Sequence, residues 1–121
     1  MATIALTSAD RNSVNGAIIL SWALAGADDG APYSLPFSAD LTFQVTGTFG
    51  GATVKLQGSN NGTDWFDLTK KGGTSAASVT AAGGFTVNEN PAFIRPSTSG
   101  GTGTDVDVIV ALHARYAKVG Y

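Results

Sequence analysis

The stretch from Val54 to Thr69, VKLQGSNNGTDWFDLT, alternates apolar and polar residues, breaks at Asn60-Asn61-Gly62, and then alternates again. Val54 and Leu56 fall on one side of the first arm, Lys55 and Gln57 on the other. Beyond the break, Phe66 and Leu68 share one side and Trp65 and Asp67 the opposite one. A side-chain period of two belongs to a strand. Asn and Gly tolerate the positive φ of a tight turn, so an Asn-Gly pair between two such runs is a strong hairpin signal. The segment predicts an antiparallel hairpin with Phe66 and Leu68 in the core, and it sets the fold class for the chain.

The same period recurs elsewhere. Ala17 to Leu24 places Ile18, Leu20, Trp22 and Leu24 on one face. Asp40 to Thr46 turns Leu41, Phe43 and Val45 inward, and Asp105 to Leu112 turns Val106, Val108, Val110 and Leu112 inward. Ala2 to Thr7 reads as a short edge strand, Ser8 to Gly16 as a loop, and Ala25 to Pro36, with two prolines, as another loop. Lys70 to Ser75 is a Gly-containing loop, and Ala76 to Val87 alternates weakly through Val79, Phe85 and Val87. Ala92 to Ser97 is a strand with Pro91 and Pro96 at its ends. Proline donates nothing to a ladder, so that strand is predicted at an edge or bulge. No segment sustains a 3.6-residue apolar period between caps. The expectation is an all-β, antiparallel two-sheet β-sandwich of about eight short strands, with no long helix. Residues 1–121 read as one domain, with 1–16 an N-terminal arm or edge strand and 114–121 a C-terminal tail.

Composition excludes several chemistries. There is no Cys, which removes disulfides, thiolate nucleophiles and zinc ribbons together. A single His113 argues against a histidine metal site and leaves no partner for a nucleophilic dyad. A formal net charge of −2 gives no electrostatic ground for nucleic acid, whose binding rests on phosphate neutralisation. No apolar run approaches the ~20 residues of a membrane helix, and the opening MATIALTSADRN lacks the basic and apolar regions of a signal peptide. Charged residues make up 13% of the chain, about half the usual share, and Ser plus Thr outnumber them. Such a surface is either ordinary β-sandwich composition or one suited to contact, since interfaces are depleted of Lys, Glu and Asp.

The remaining motifs have plain structural readings. Asp28-Asp29-Gly30 and Asp105-x-Asp107 carry oxygens a calcium ion could use, but they lack the ligand spacing of a calcium loop and sit where solvated turns and strand edges carry Asp. Asn61-Gly62-Thr63 fits a glycosylation acceptor and is equally explained as the hairpin turn. Glu89 is the one Glu, and no second acid is singled out to make a glycosidase pair with it. The Gly100 to Thr104 run precedes a strand, unlike a phosphate loop. Trp65 has two readings: an exposed aromatic anchor beside Lys55 and Gln57, or a core residue if the register is reversed. Beyond the last strand, Arg115, Tyr116, Lys118 and Tyr121 form a basic, aromatic tail suited to docking.

The motif LQGSNNGTDWFDLT followed by ENPAFIRP resembles the SNDG-x-x-W … ARYIR pattern of discoidin-like, galactose-binding-type jelly rolls. It matches through Ser59, Asn60, Gly62 and Trp65, then Phe93, Ile94 and Arg95. The extended recognition loops and paired cysteines of many such domains are missing. The short, cysteine-free, Gly/Thr-rich chain is also similar to head decoration (cement) proteins of tailed bacteriophages over Leu41 to Leu112. This second resemblance implies a jelly-roll-like sandwich that runs no reaction and needs no cofactor or metal. It would sit on the virion exterior and bridge subunits of the major capsid protein as a homodimer or homotrimer. The N-terminal arm, Trp65, and Arg115, Tyr116, Lys118 and Tyr121 of the C-terminal tail are the expected contacts. The alternative is a carbohydrate- or receptor-binding β-sandwich of a phage tail fibre.

Overall fold

The computed structural model describes residues 3–11, 16–36 and 39–114. Among them no residue is helical, and twelve strands form two sheets. In chain order these are β1 (Thr3–Ile4), β2 (Ser8–Arg11), β3 (Ile18–Ala25), β4 (Asp29–Gly30), β5 (Tyr33–Ser34) and β6 (Ala39–Thr48). They continue with β7 (Thr53–Ser59), β8 (Phe66–Asp67), β9 (Ser78–Val79), β10 (Gly83–Thr86), β11 (Phe93–Ser99) and β12 (Asp105–Ala114). One sheet runs β10-β6-β12-β3-β2. The other runs β1-β4-β11-β7-β8, with β5 also on β11 and β9 also on β7.

The expected sandwich is present, with more strands than expected. The surplus comes from β2, β4 and β5, which are too short for periodicity to mark them, and from the division of Ala76 to Val87 into β9 and β10. Two predicted loops hold strands: Ser8 to Gly16 contains β2, which pairs with β3, and Ala25 to Pro36 contains β4 and β5. The pairing is antiparallel throughout except for β1 on β4, which run parallel with Thr3 opposite Asp29.

β12 organises the five-stranded sheet. It pairs with β6 along its full length and with β3 from Asp105 to Leu112. Its inward residues Val106, Val108, Val110 and Leu112 are fully buried, as are Leu20, Trp22, Leu41, Phe43 and Val45 from its neighbours. Across the interior they meet Val54, Leu56, Leu68 and Ile94 of the other sheet. Each such side chain contributes roughly 1.5–3 kcal/mol by leaving water, so the alternation seen in the sequence is the main source of stability. The Trp22 indole nitrogen donates to Ala31 O at 3.0 Å, which satisfies its one polar group.

β11 is a central strand, contrary to the expectation drawn from its prolines. Pro96 stands opposite Leu56, but the Leu56 N–H donates to Ala77 O (3.0 Å) and its carbonyl accepts from the Leu68 N–H (3.1 Å). Leu56 therefore turns its polar groups away from β11, and the missing N–H of Pro96 costs nothing on that side. On the other side, β11's neighbour changes from β5 at Ile94 to β4 at Ser97, and Pro96 falls between them.

The N-terminal segment joins both sheets. Ile4 O accepts from the Ala31 N–H (2.7 Å) at the edge of one, and the Thr7 N–H donates to Ser21 O (2.7 Å) at the edge of the other. Residues 3–11 are thus built into the sandwich.

Candidate functional site

The outer face of the seven-stranded sheet carries the most organised set of polar side chains. Because Val54, Leu56 and Gly58 of β7 point inward, Thr53, Lys55 and Gln57 point outward. Register places Arg95 and Asp67 on either side of Gln57, and Ser97 beside Lys55. Gln57 links the row: its Nε2 donates to Asp67 Oδ1 (3.1 Å) and its Oε1 accepts from Arg95 Nε (3.0 Å). Lys55 Nζ donates to Asp67 Oδ2 at 3.1 Å. Arg95 Nη1 lies 3.5 Å from Asp29 Oδ2, and Ser97 Oγ donates to Asp29 Oδ1 at 2.6 Å. The hydrogen bond from Gln57 holds the Asp67 carboxyl below the usual carboxylate range. Partial burial opposes that shift, and the hydrogen bond and charge of Lys55 reinforce it.

Trp65 belongs to this row. The Arg95 guanidinium carbon sits 4.3 Å from the centre of the indole ring, within cation–π range. The residue is half-buried on the outer face, so the core reading of Trp65 is overturned. The expectation for its neighbour fails as well: Phe66 is 43% exposed, the one exposed large hydrophobic among the described residues. Phe66 stands opposite Gly58, and the inner space there is already taken. A Cβ on Gly58 would lie 2.6 Å from Pro91 Cγ and 2.8 Å from Leu68 Cδ2. Leu68, fully buried, therefore fills the core without Phe66.

The break in the hairpin is longer than a two-residue turn, and side chains hold it. The backbone N–H groups of Asn61 (3.2 Å) and Gly62 (2.8 Å) both donate to Ser59 Oγ. Asn61 Oδ1 accepts from the N–H groups of Thr63 and Asp64, both at 2.9 Å. Gly62 has φ +79° and lies against the Phe93 ring. The two halves of the discoidin-like motif thus meet in space, with Phe93 under the loop and Arg95 over Trp65.

A second built cluster lies behind the 69–76 loop. Glu89 accepts from the Thr69 N–H (2.8 Å) and Oγ1 (2.6 Å). Burial alone would raise its carboxyl, but these bonds and one from its own backbone outweigh it and leave the group below its ordinary value. Asn88 Oδ1 accepts from the Gly72 N–H, and its Nδ2 donates to Lys70 O and Gly73 O. The bonds fix the turn that carries Lys70 and Lys71.

Asp29, read from sequence as a solvated turn residue, is 8% exposed and anchors Arg95. No local signal marks it, because Ser97 and Arg95 are distant in the chain. Asp105 and Asp107 point outward on β12, and His113 is exposed opposite Asp40. Among the described residues no three His, Asp or Glu side chains gather as a metal site, and no pocket forms. Of the expected contact residues, Trp65 is described, whereas Arg115, Tyr116, Lys118 and Tyr121 lie outside the described residues.

The fold defines an all-β two-sheet sandwich with an internally bonded outer face. No family model and no curated protein matches the chain. Among solved structures it is similar to the SPBc2 prophage-derived protein YomS, with TM-score 0.56, 15% identity, and coverage of 78% of this chain and 94% of that one. Peruvianin-I, a cysteine peptidase from Thevetia peruviana latex, matches with TM-score 0.48 and 15% identity over 83% of this chain and 52% of its own. A cupin domain from Bordetella pertussis matches with TM-score 0.45 and 10% identity over 92% of each. At these identities the likeness to YomS is one of fold.

Proposed function

We propose that this chain is a structural virion protein that binds the outer surface of a phage capsid and stabilises it by bridging capsid subunits. The observation that carries the reading is the outer face of the seven-stranded sheet, with its row of mutually bonded polar side chains. Lys55 pairs with Asp67 and Arg95 with Asp29, no pocket forms among the described residues, and Trp65 and the exposed Phe66 stand beside one edge. A face of this kind suits a broad protein surface better than a small ligand, which is usually held in a cleft. Its side chains are ordered before contact, so little rotamer freedom is left to lose on docking. The fold-level likeness to a prophage-derived protein supports the same reading.

In this reading the partners are the major capsid protein and further copies of the chain, as a homodimer or homotrimer on the virion exterior. No reaction and no cofactor is involved. Trp65 is the contact on the described face, and Arg115, Tyr116, Lys118 and Tyr121 of the tail are the others. Many copies on one shell act together, so modest single contacts suffice.

The test is co-sedimentation of purified protein with heads that lack it, followed by heat challenge of the loaded and bare shells. Binding with a gain in shell stability, weakened by Trp65→Ala, is the expected result. Protein that stays in the supernatant at every ratio overturns the proposal. The outer-face position of Trp65 also favours a second reading, a carbohydrate- or receptor-binding module of a tail fibre. That reading predicts saccharide affinity abolished by Trp65→Ala, with no head association.

A further inference from the structure

Asn61 precedes Gly62, a pairing open to attack of a backbone nitrogen on a side-chain amide because glycine places no Cβ in the path. In that reaction the Gly62 nitrogen loses its proton and bonds to Asn61 Cγ. The Cγ–Nδ2 bond breaks, and ammonia leaves with the proton. Water then opens the cyclic imide at either carbonyl, leaving aspartate or isoaspartate. Amide plus water becomes acid plus ammonia, with no oxidant or cofactor required.

The loop bears on both reacting groups. The Gly62 N–H donates to Ser59 Oγ at 2.8 Å. Ser59 is fully buried and ends β7 opposite Phe93, so its hydroxyl is fixed in place. The nitrogen's proton is therefore engaged by Ser59 Oγ and must be released before the nitrogen can attack. The electrophile is tied as well. Asn61 Oδ1 accepts from the Thr63 N–H (2.9 Å), the Asp64 N–H (2.9 Å), Ser59 Oγ (3.0 Å) and Thr63 Oγ1 (3.1 Å), while Nδ2 donates to Asp64 Oδ2 (2.9 Å). Donors on Oδ1 polarise the carbonyl, which by itself favours attack. The amide must still turn its face toward the nitrogen, and turning breaks those bonds together. The one hydroxyl of Ser59 holds both partners, accepting from the Gly62 N–H and donating to Asn61 Oδ1, so its loss frees nucleophile and electrophile together.

We propose that Asn61–Gly62 is a spontaneous deamidation site that the folded loop holds closed through Ser59. Conversion there has a structural consequence. A carboxylate at position 61 has no hydrogen to give Asp64, so two acids face each other one residue before Trp65. The inference stands on the loop geometry and is independent of the capsid reading.

The experiment incubates the full folded chain in warm, mildly alkaline buffer and follows Asn61 by peptide-mapping mass spectrometry. Mapping separates it from the other Asn-Gly pair, Asn15-Gly16. The references are a free peptide of the Gly58 to Trp65 sequence and the variants Ser59→Ala and Ser59→Thr. Folded protein should convert at least about tenfold more slowly than the peptide, a barrier higher by about 1.4 kcal/mol. Ser59→Ala should recover most of that gap, and Ser59→Thr, which keeps the hydroxyl, should stay slow. Should Ser59→Ala not fold, Ser59→Cys, close to serine in volume but a weak hydrogen-bonding group, takes its place and should likewise convert faster than the parent. Conversion of the folded chain at the peptide rate overturns the proposal, as does a folded Ser59→Ala variant that is no faster than the parent.

Discussion

Two ion pairs on one sheet face differ in burial, and that difference should decide what each is worth. Arg95 and Asp29 are 22% and 12% exposed at the side chain, whereas Lys55 and Asp67 are 35% and 38% exposed. Arg95→Ala removes three things together. The stack on Trp65 is worth about 0.5–2 kcal/mol, depending on how far it is desolvated. Gln57 Oε1 loses its charged donor, a bond of about 1.5–3 kcal/mol before Gln57 finds water. Asp29 stays nearly buried with Ser97 as its remaining side-chain donor, and a buried acid without its cation is costly. These terms overlap, so the net loss should be about 2–3 kcal/mol. Lys55→Ala removes a pair that water already screens and should cost less than about 1 kcal/mol. Urea unfolding of the parent and both variants reads the difference as a shift in midpoint at constant slope. Equal losses, or a larger loss for Lys55→Ala, would refute the reasoning that burial of the Arg95 side makes it the support of the face. A double cycle with Trp65→Ala should return a coupling energy of about 0.5–1.5 kcal/mol for Arg95 and near zero for Lys55.

Three further outcomes follow from the same geometry. Gly30→Ala should destabilise by about 1–3 kcal/mol or more, because the new Cβ would stand 2.5 Å from Pro96 Cγ and 2.6 Å from Trp22 Cδ1; a thermal melt within a degree of the parent would contradict it. Thr98 is fully buried and its Oγ1 has no hydrogen-bond partner among the described residues. The nearly isosteric Thr98→Val should therefore raise stability by about 1 kcal/mol, and a lowered urea midpoint would count against that. Asp67 and Glu89 are both held below their ordinary values of 3.8 and 4.5. A carboxyl with a depressed folded pKa contributes stability in full above its unfolded pKa and loses it as pH falls through the folded one. Stability should decline below about pH 4, and Asp67→Asn with Glu89→Gln should flatten that acid limb; an unchanged acid limb in the double variant would refute the assignment.

Much of the fold was legible in the chain because alternation is a local property. The inward residues of β3, β6, β7 and β12 follow from spacing alone, and the structure buries Leu20, Trp22, Phe43, Val54 and Val108 as that spacing requires. The loop from Ser59 to Asp64 was legible as a break, but the hydroxyl and amide that hold it were not. Its glycine and asparagines announce a turn, whereas its hydrogen bonds depend on how the two arms are spaced. β2, β4 and β5 went unseen because strands of two to four residues have too few side chains to show a period.

Tertiary structure alone decided three matters. Pro96 could enter a central strand only because Leu56 bonds away from it, and a sequence does not say which edge of a neighbour a backbone group faces. Phe66 was displaced from the core by Pro91 and Leu68, residues that compete for one volume over Gly58. Asp29 became the buried counter-charge of Arg95 through a pairing between β4 and β11 across more than half the chain. Local alternation marked the apolar residues of β3, β6, β7 and β12 that leave water, since a period of two needs only each side chain and its immediate neighbours. Which polar groups meet depends on distant strands arriving at a common register, and only the folded chain fixes that.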